Sequence, residues 1–163
     1  MTWTEFQVII EKQIERLPDS RGIDFALDIC KRLLSEYEYF QKKHNWGNSQ
    51  LLGQGIEFIE TNRKQFHKKE ADRLIAEIDA VVPDSDDFDD WDGSYAQNAS
   101  IAVLETLQFL VDRDITHIKT VSTMMIDTVD FKIAEINEDI PDEEVWRHPM
   151  MMNEMKRQIE TTK

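Results

Sequence analysis

Val81–Val111, VVPDSDDFDDWDGSYAQNASIAVLETLQFLV, joins two unlike halves. The first is an Asp-crowded turn opened by Pro83; the second is the most continuously apolar segment of the chain. Ala99, Ala102, Val103, Leu107 and Leu110 recur at helical spacing, and Ile101, Leu104 and Phe109 fill the remaining sides. A helix that is apolar nearly all round is one surrounded by other helices. That reading predicts an all-α, single-domain bundle built around a buried central helix, with an acidic loop at its entrance.

Outward from that stretch, the pattern stays helical. Thr2 and Glu5 have capping-box spacing ahead of Trp3, Phe6, Ile10, Ile14 and Leu17, and Pro18 stops this first helix. Asp19 or Ser20 is the expected cap of a second, carrying Ile23, Ala26, Leu27, Cys30, Leu33, Leu34, Tyr37 and Phe40 as far as Asn45-Trp46-Gly47. Asn48 caps a third through Leu51, Leu52, Ile56 and Ile59, with Phe66 at its far limit and a break within Thr61–Gln65. Gly53 and Gly55 inside it read as places where a neighbouring helix comes close, because Gly there costs about 1 kcal/mol relative to Ala. Ala71, Leu74, Ile75, Ile78 and Val81 make a fourth, ended by Pro83. Asp92 or Ser94 starts the central fifth helix, and Asp112–Asp114 turns into a sixth running to Ile136. After Asn137–Ile140, Pro141 at a first helical position opens a short helix through Trp146, and Met150–Glu160 forms the last. No alternating strand pattern and no internal repeat interrupts the series, so residues 1–163 form one domain of about seven helices. Five Gly and four Pro are too few for the turns of an all-β fold.

Charge narrows the function classes. A formal net charge of −14 repels phosphate backbones and anionic lipid, so neither nucleic acid nor membrane is an expected partner, whereas a basic protein is. The single cysteine, Cys30, lies on an apolar helical face and reads as core, with no disulfide framework. Early acids Glu5 and Glu11 are incompatible with a secretory apolar region, and no run reaches membrane-spanning length; the expected location is cytoplasmic.

The chemistry-bearing candidates are weighed one by one. The loop Asp84-Ser85-Asp86-Asp87-Phe88-Asp89-Asp90-Trp91-Asp92-Gly93 invites a calcium reading, yet the EF-hand register puts Phe88 or Ala99 where ligands belong. Helix capping is the ordinary use of such aspartates, so no metal and no cofactor is called for. Phe88 and Trp91 either anchor the loop on the core or join Asp84, Asp86, Asp87, Asp89, Asp90 and Asp92 as a partner-binding patch. Carboxylate pairs Glu57/Glu60, Asp127/Asp130 and Glu135/Glu138 have the i,i+3 spacing that could hold Mg²⁺, as in helical nucleotide pyrophosphohydrolases, but such pairs arise readily in an acid-rich chain. His44, His67, His117 and His148 show no metal-ligand spacing, and Asp114/His117 suits a helix start. Ser122, Thr123 and Thr128 are expected to bond back to carbonyls one turn earlier. Met150–Met152 and Met155 read as adaptable packing for the last helix.

Phe25-Ala-Leu-Asp-Ile-Cys-Lys-Arg-Leu-Leu, Tyr37 and Phe40, Trp46-Gly47, and Val82-Pro83 followed by Asp86-Asp87-Phe88-Asp89 together resemble the bacterial YjaG-like family. Thr120-Val121-Ser122, Thr128-Val129 and the acidic segment running to His148-Pro149 fit the same pattern, so the resemblance covers the chain from about Leu17 onward. It departs at Ser35-Glu36-Tyr37, which lacks a proline before the tyrosine, in a one-residue shift around Trp91–Gly93, and at Asn98, where an acid is usual. The resemblance implies an all-helical fold and no established activity.

These residues lead to an acidic, non-enzymatic protein-binding module, in its sharper form an immunity-type inhibitor masking a basic toxin through the Asp84–Asp92 loop. The rival is a metal-dependent hydrolase in which Glu57, Glu60 or the Asp loop converge on a divalent ion. A homodimer through the fifth or last helix is a third alternative.

Overall fold

Apolar residues at three- and four-residue steps leave each helix one face to bury. The computed structural model, which describes residues 1–163, shows eight α-helices and one 3-10 turn doing so, with no strand. The capping box forms at the start of α1 (Trp3–Arg16): the Glu5 amide donates to Thr2 Oγ1 at 3.3 Å and the Thr2 amide to Glu5 Oε2 at 2.7 Å. α2 (Asp19–His44) starts directly after Pro18 without a side-chain cap, so neither Asp19 nor Ser20 plays that part. Its left-handed end falls on Asn45 (φ 50°), and Gly47 supplies a second positive φ of 93° two residues later. Asn48 caps α3 (Ser49–Thr61) as expected. That helix stops at Thr61, leaving Phe66 in the following loop with its ring 6.2 Å from Phe58.

α4 (Lys68–Asp79) leads through the 3-10 turn Ser85–Asp87 into α5 (Trp91–Asp112). α5 begins earlier than either expected start, because Asp90 caps it by accepting from the Asp92 amide at 3.2 Å. α6 (Thr116–Ile136), the one-turn α7 (Asp142–Val145) and α8 (Pro149–Thr161) complete the chain, eight helices against the expected seven or so. Pro141 takes the cap position of α7 rather than its first helical position, while Pro149 occupies the first turn of α8.

α5 is the central helix, and α2 shares the centre with it; α3, α4 and α6 pack around the pair, and α8 and α1 close the far side of α6. One continuous core runs from Phe6 to Met155. Within it Leu107 and Phe109 lose all solvent contact, each contributing about 1.5–3 kcal/mol. Cys30 is core, its thiol pushed up to about 12 by burial, with Thr106 Oγ1 at 3.4 Å. The two α3 glycines divide. A Cβ on Gly55 would stand 2.9 Å from both Ile78 and Val103, whereas one on Gly53 would meet nothing within 4 Å. Close helix approach therefore explains Gly55 alone.

Polar ties also cross the core. Arg32 of α2 forks onto Glu154 of α8 at 2.7 and 3.1 Å, and Gln158 accepts from the Ser122 hydroxyl at 2.5 Å. Ser122 thus bridges helices instead of bonding back along α6, as Thr123 and Thr128 do. Met151 and Met155 fill the core side of α8, while Met152 faces solvent. No helix is long and apolar enough to cross a membrane.

Candidate interaction surface

The Asp-rich loop is built from the inside out. Pro83 is buried and ends the α4 chain path. Asp84 then folds the 3-10 turn, its carboxylate accepting from the Asp86 amide at 3.0 Å and its carbonyl from the Asp87 amide at 3.0 Å. This geometry directs the next side chain, Phe88, inward. Its ring meets Phe40 edge-on at 4.7 Å, His44 at 4.9 Å and Trp46 at 6.0 Å, arrangements aromatic quadrupoles favour. Gly93 makes room from below, since a Cβ there would come within 3.0 Å of Phe88 Cβ.

A second tie lies one helix turn away. Tyr37, fully buried, donates its hydroxyl to the Val81 carbonyl at 2.6 Å and accepts from the Asn48 amide at 3.1 Å. Gly47 is obligatory beside it: besides its positive φ, a Cβ would stand 2.3 Å from the Tyr37 oxygen. Tyr37, Phe40, Trp46, Gly47 and Phe88, all among the residues that carry the family resemblance, thus meet in one place.

The third tie is ionic. Lys43 reaches Asp92 at 2.7 Å and Asp90 at 2.9 Å, and His44 Nε2 lies 3.0 Å from Asp90. The hydrogen bonds it donates to Asp92 and then to Asp90 hold the Lys43 ammonium well above its ordinary value. Burial pushes Asp90 up, but Lys43 and His44 outweigh it and keep its carboxyl below the usual range. His44, Asp90 and Asp92 have ligand atoms within 4.8 Å of one another, a spacing a cation could use. The Lys43 ammonium already sits against both carboxylates, so this group works as a clamp between the end of α2 and the start of α5.

The eight loop candidates therefore separate. Asp84, Asp86, Asp87 and Asp89 face water. Phe88, Asp90 and Asp92 turn inward as anchors, and Trp91 packs on Phe131 of α6 with centroids 5.5 Å apart. Two surface aromatics flank the clamp that sequence reading missed: Tyr39 (59% exposed), whose ring lies 6.0 Å from Lys43, and Trp46 (39% exposed). Tyr39 falls off the apolar stripe defined by Tyr37 and Phe40, which was the available signal.

The other candidates lie elsewhere. Glu60 pairs with Lys31 of α2, twelve residues before Lys43 on the same helix. At 1.5 Å rise per residue that puts the Glu57/Glu60 pair about 18 Å from the Asp loop along α2. Glu135 accepts from the Tyr95 hydroxyl at 2.5 Å. Burial first, and Asp130 second, raise the Asp127 carboxyl, and burial with Asp142 raises Asp130. His148 accepts from the Met150 amide as a helix cap, and Asp114 accepts from the Thr116 amide in the turn that leads into α6.

Known proteins share this architecture. A crystal structure of a DUF416 family protein from Shewanella baltica superposes with a TM-score of 0.82 at 21% identity, covering 93% of this chain and 80% of that one. The Uncharacterized protein YjaG of Escherichia coli is 25% identical over 154 residues, spanning 93% of this chain and 79% of the relative. The protein of the same description from Salmonella typhimurium matches over the same span at 25% identity. A family model matches residues 9–163, and the chain belongs to the family it describes, Protein of unknown function (DUF416).

Proposed function

We propose that the protein is a non-enzymatic binding module whose Asp84–Asp92 loop receives the basic surface of another protein. The observation that carries this reading is the division of labour within the loop. Phe88, Asp90 and Asp92 fix it from behind, so Asp84, Asp86, Asp87 and Asp89 stand at set positions facing water. A rigid acidic surface loses little conformational entropy on binding, and a net charge of −14 speeds encounter with a cationic partner. In its sharper form the partner is a basic toxin, masked as an immunity-type inhibitor masks its target, with the loop at the contact.

The test pairs the wild type with a variant in which Asp84, Asp86, Asp87 and Asp89 are all Asn, its fold checked by circular dichroism. Each is used to capture binders from bacterial lysate, and any binder is then purified and titrated calorimetrically at low and high salt. The reading expects a basic protein whose affinity falls steeply with salt and is largely lost in the variant. Binding that ignores both salt and the four substitutions would overturn it. A toxin reading frame beside the gene, whose product is inhibited by this protein, would establish the immunity form.

A further inference from the structure

At the opposite end of α5 from the acidic loop, His117 lies in the first turn of α6 between two carboxylates of α5. Its Nδ1 is 2.5 Å from Glu105 Oε2 and its Nε2 is 2.9 Å from Asp112 Oδ2. An ionised carboxylate only accepts hydrogen bonds, so both ring nitrogens must donate, and only the imidazolium carries two N–H groups. Asp114, in the turn, also feels the ring's charge, together with that of Lys119, which is itself engaged with Glu15 of α1.

One of the two carboxylates held by this ring, Asp112, also organises the turn. Asp112 uses its other oxygen to accept from the Asp114 amide at 2.8 Å, and Asp114 accepts from the Thr116 amide at 3.0 Å and hydroxyl at 2.8 Å. Between them Arg113 sits at φ 58°, a left-handed conformation uncommon for a non-glycine residue, and closes the end of α5. From there its guanidinium donates to the Arg63 carbonyl at 2.7 Å and lies 3.7 Å from Asp19. One turn thereby ties the end of α5 to the loop after α3 and to the first turn of α2.

We propose that the Asp112–Thr116 turn is a proton-operated latch, closed while the His117 imidazolium bridges Glu105 and Asp112 and released on the Asp112 side when the ring loses a proton. The side of release follows from geometry. A neutral ring keeps one N–H. Glu105 makes the shorter contact and its side chain is 23% exposed, against 51% for Asp112, so water takes over Asp112 at the lower cost. The Nε2 lone pair then faces a carboxylate and repels it, and the turn loses the group that holds the Asp114 amide. Burial acts to lower the ring's pKa, but the hydrogen bonds it donates to Asp112 and Glu105 outweigh it and raise the value above the ordinary 6.5. The latch therefore contributes fully below about pH 6.5, the unfolded value, and its contribution is lost as the pH rises through the folded value.

The experiment is an NMR titration of the His117 ring in the full-length protein, with amide exchange followed at Asp114 and Thr116. The latch expects two protonated ring nitrogens at neutral pH and titration above the ordinary histidine value. It also expects exchange at those amides to speed up several-fold across that titration, beyond the intrinsic base-catalysed rise. His117→Gln, which keeps one donor, should show the faster exchange at every pH. A ring that titrates at or below the ordinary value, or amide protection indifferent to its titration, overturns the proposal; if His117→Gln fails to fold, the wild-type titration decides alone.

Discussion

Gly55→Ala places one methyl group where three helices already touch. The added Cβ would stand 2.9 Å from Ile78 Cδ1, 2.9 Å from Val103 Cγ1 and 3.6 Å from Leu107 Cδ1. Carbon atoms rest at about 3.5–4.0 Å, so two contacts fall short by roughly 0.6 Å or more. Ile78 and Val103 are both fully buried, leaving neither methyl an open space to move into. α3 must shift off α4 and α5, or the two side chains must leave their rotamers. Such overpacking costs about 1–3 kcal/mol, against a helix-propensity gain of about 1 kcal/mol for Ala over Gly. Gly53→Ala collects the same gain with nothing within 4 Å to oppose it. The difference between the two variants therefore isolates the clash at about 1–3 kcal/mol, which is roughly 2–12 °C in Tm for a domain of this size. Urea denaturation by linear extrapolation, supported by calorimetric Tm values, measures it directly. Equal stability of the two variants, or a Gly55→Ala protein more stable than Gly53→Ala, would refute the reasoning.

Tyr37→Phe strips the hydroxyl that serves Val81 and Asn48, leaving partly buried backbone groups unpaired; the expected loss is about 1–2 kcal/mol in chemical denaturation, and a neutral result would contradict the tie. Phe88→Ala empties the aromatic cluster behind the loop at a cost of about 2 kcal/mol, less than for a fully buried ring, and Trp46 fluorescence should shift to the red; unchanged emission would argue against the packing. Arg32→Leu leaves the buried Glu154 carboxylate without its guanidinium and should cost about 2–3 kcal/mol, less than a fully buried pair because Arg32 keeps 22% exposure; thermal melts would detect it. Asp127→Asn should raise Tm at neutral pH, because a carboxyl whose pKa is raised on folding costs stability when ionised and regains it only as the pH falls through the folded value; a lower Tm at pH 7 would reverse that sign.

The helices were legible because their signals are local. Thr2/Glu5, Asn48 and Pro18 mark ends through chemistry confined to three or four residues, and the all-round apolar pattern of Ala99–Leu110 announced the central helix. Asp90 does not stand out as the α5 cap because five other aspartates crowd Asp84–Asp92, and spacing alone does not rank them. The site was half legible for a related reason. Which aspartates point outward depends on Lys43 and His44, more than forty residues earlier, and no local pattern links them. Gly53 and Gly55 looked equivalent in sequence, yet only one faces the packed side of α3, as the position of α4 and α5 determines. The spacing of Ser122 predicts a helix-local hydroxyl, because its actual partner, Gln158, lies 36 residues away.

The three ties behind the acidic loop all join distant stretches: Phe40 to Phe88 across 48 residues, Tyr37 to Val81 across 44 and Lys43 to Asp92 across 49. A nascent or unfolded chain carries the same aspartates at no fixed spacing, since none of these links exists before α2 and α5 dock. The outward face is thus a signature of the finished molecule, and a partner that reads it selects natively folded copies. Mass action then makes such a partner a stabiliser, favouring the folded protein by an amount that grows with its free concentration relative to its dissociation constant.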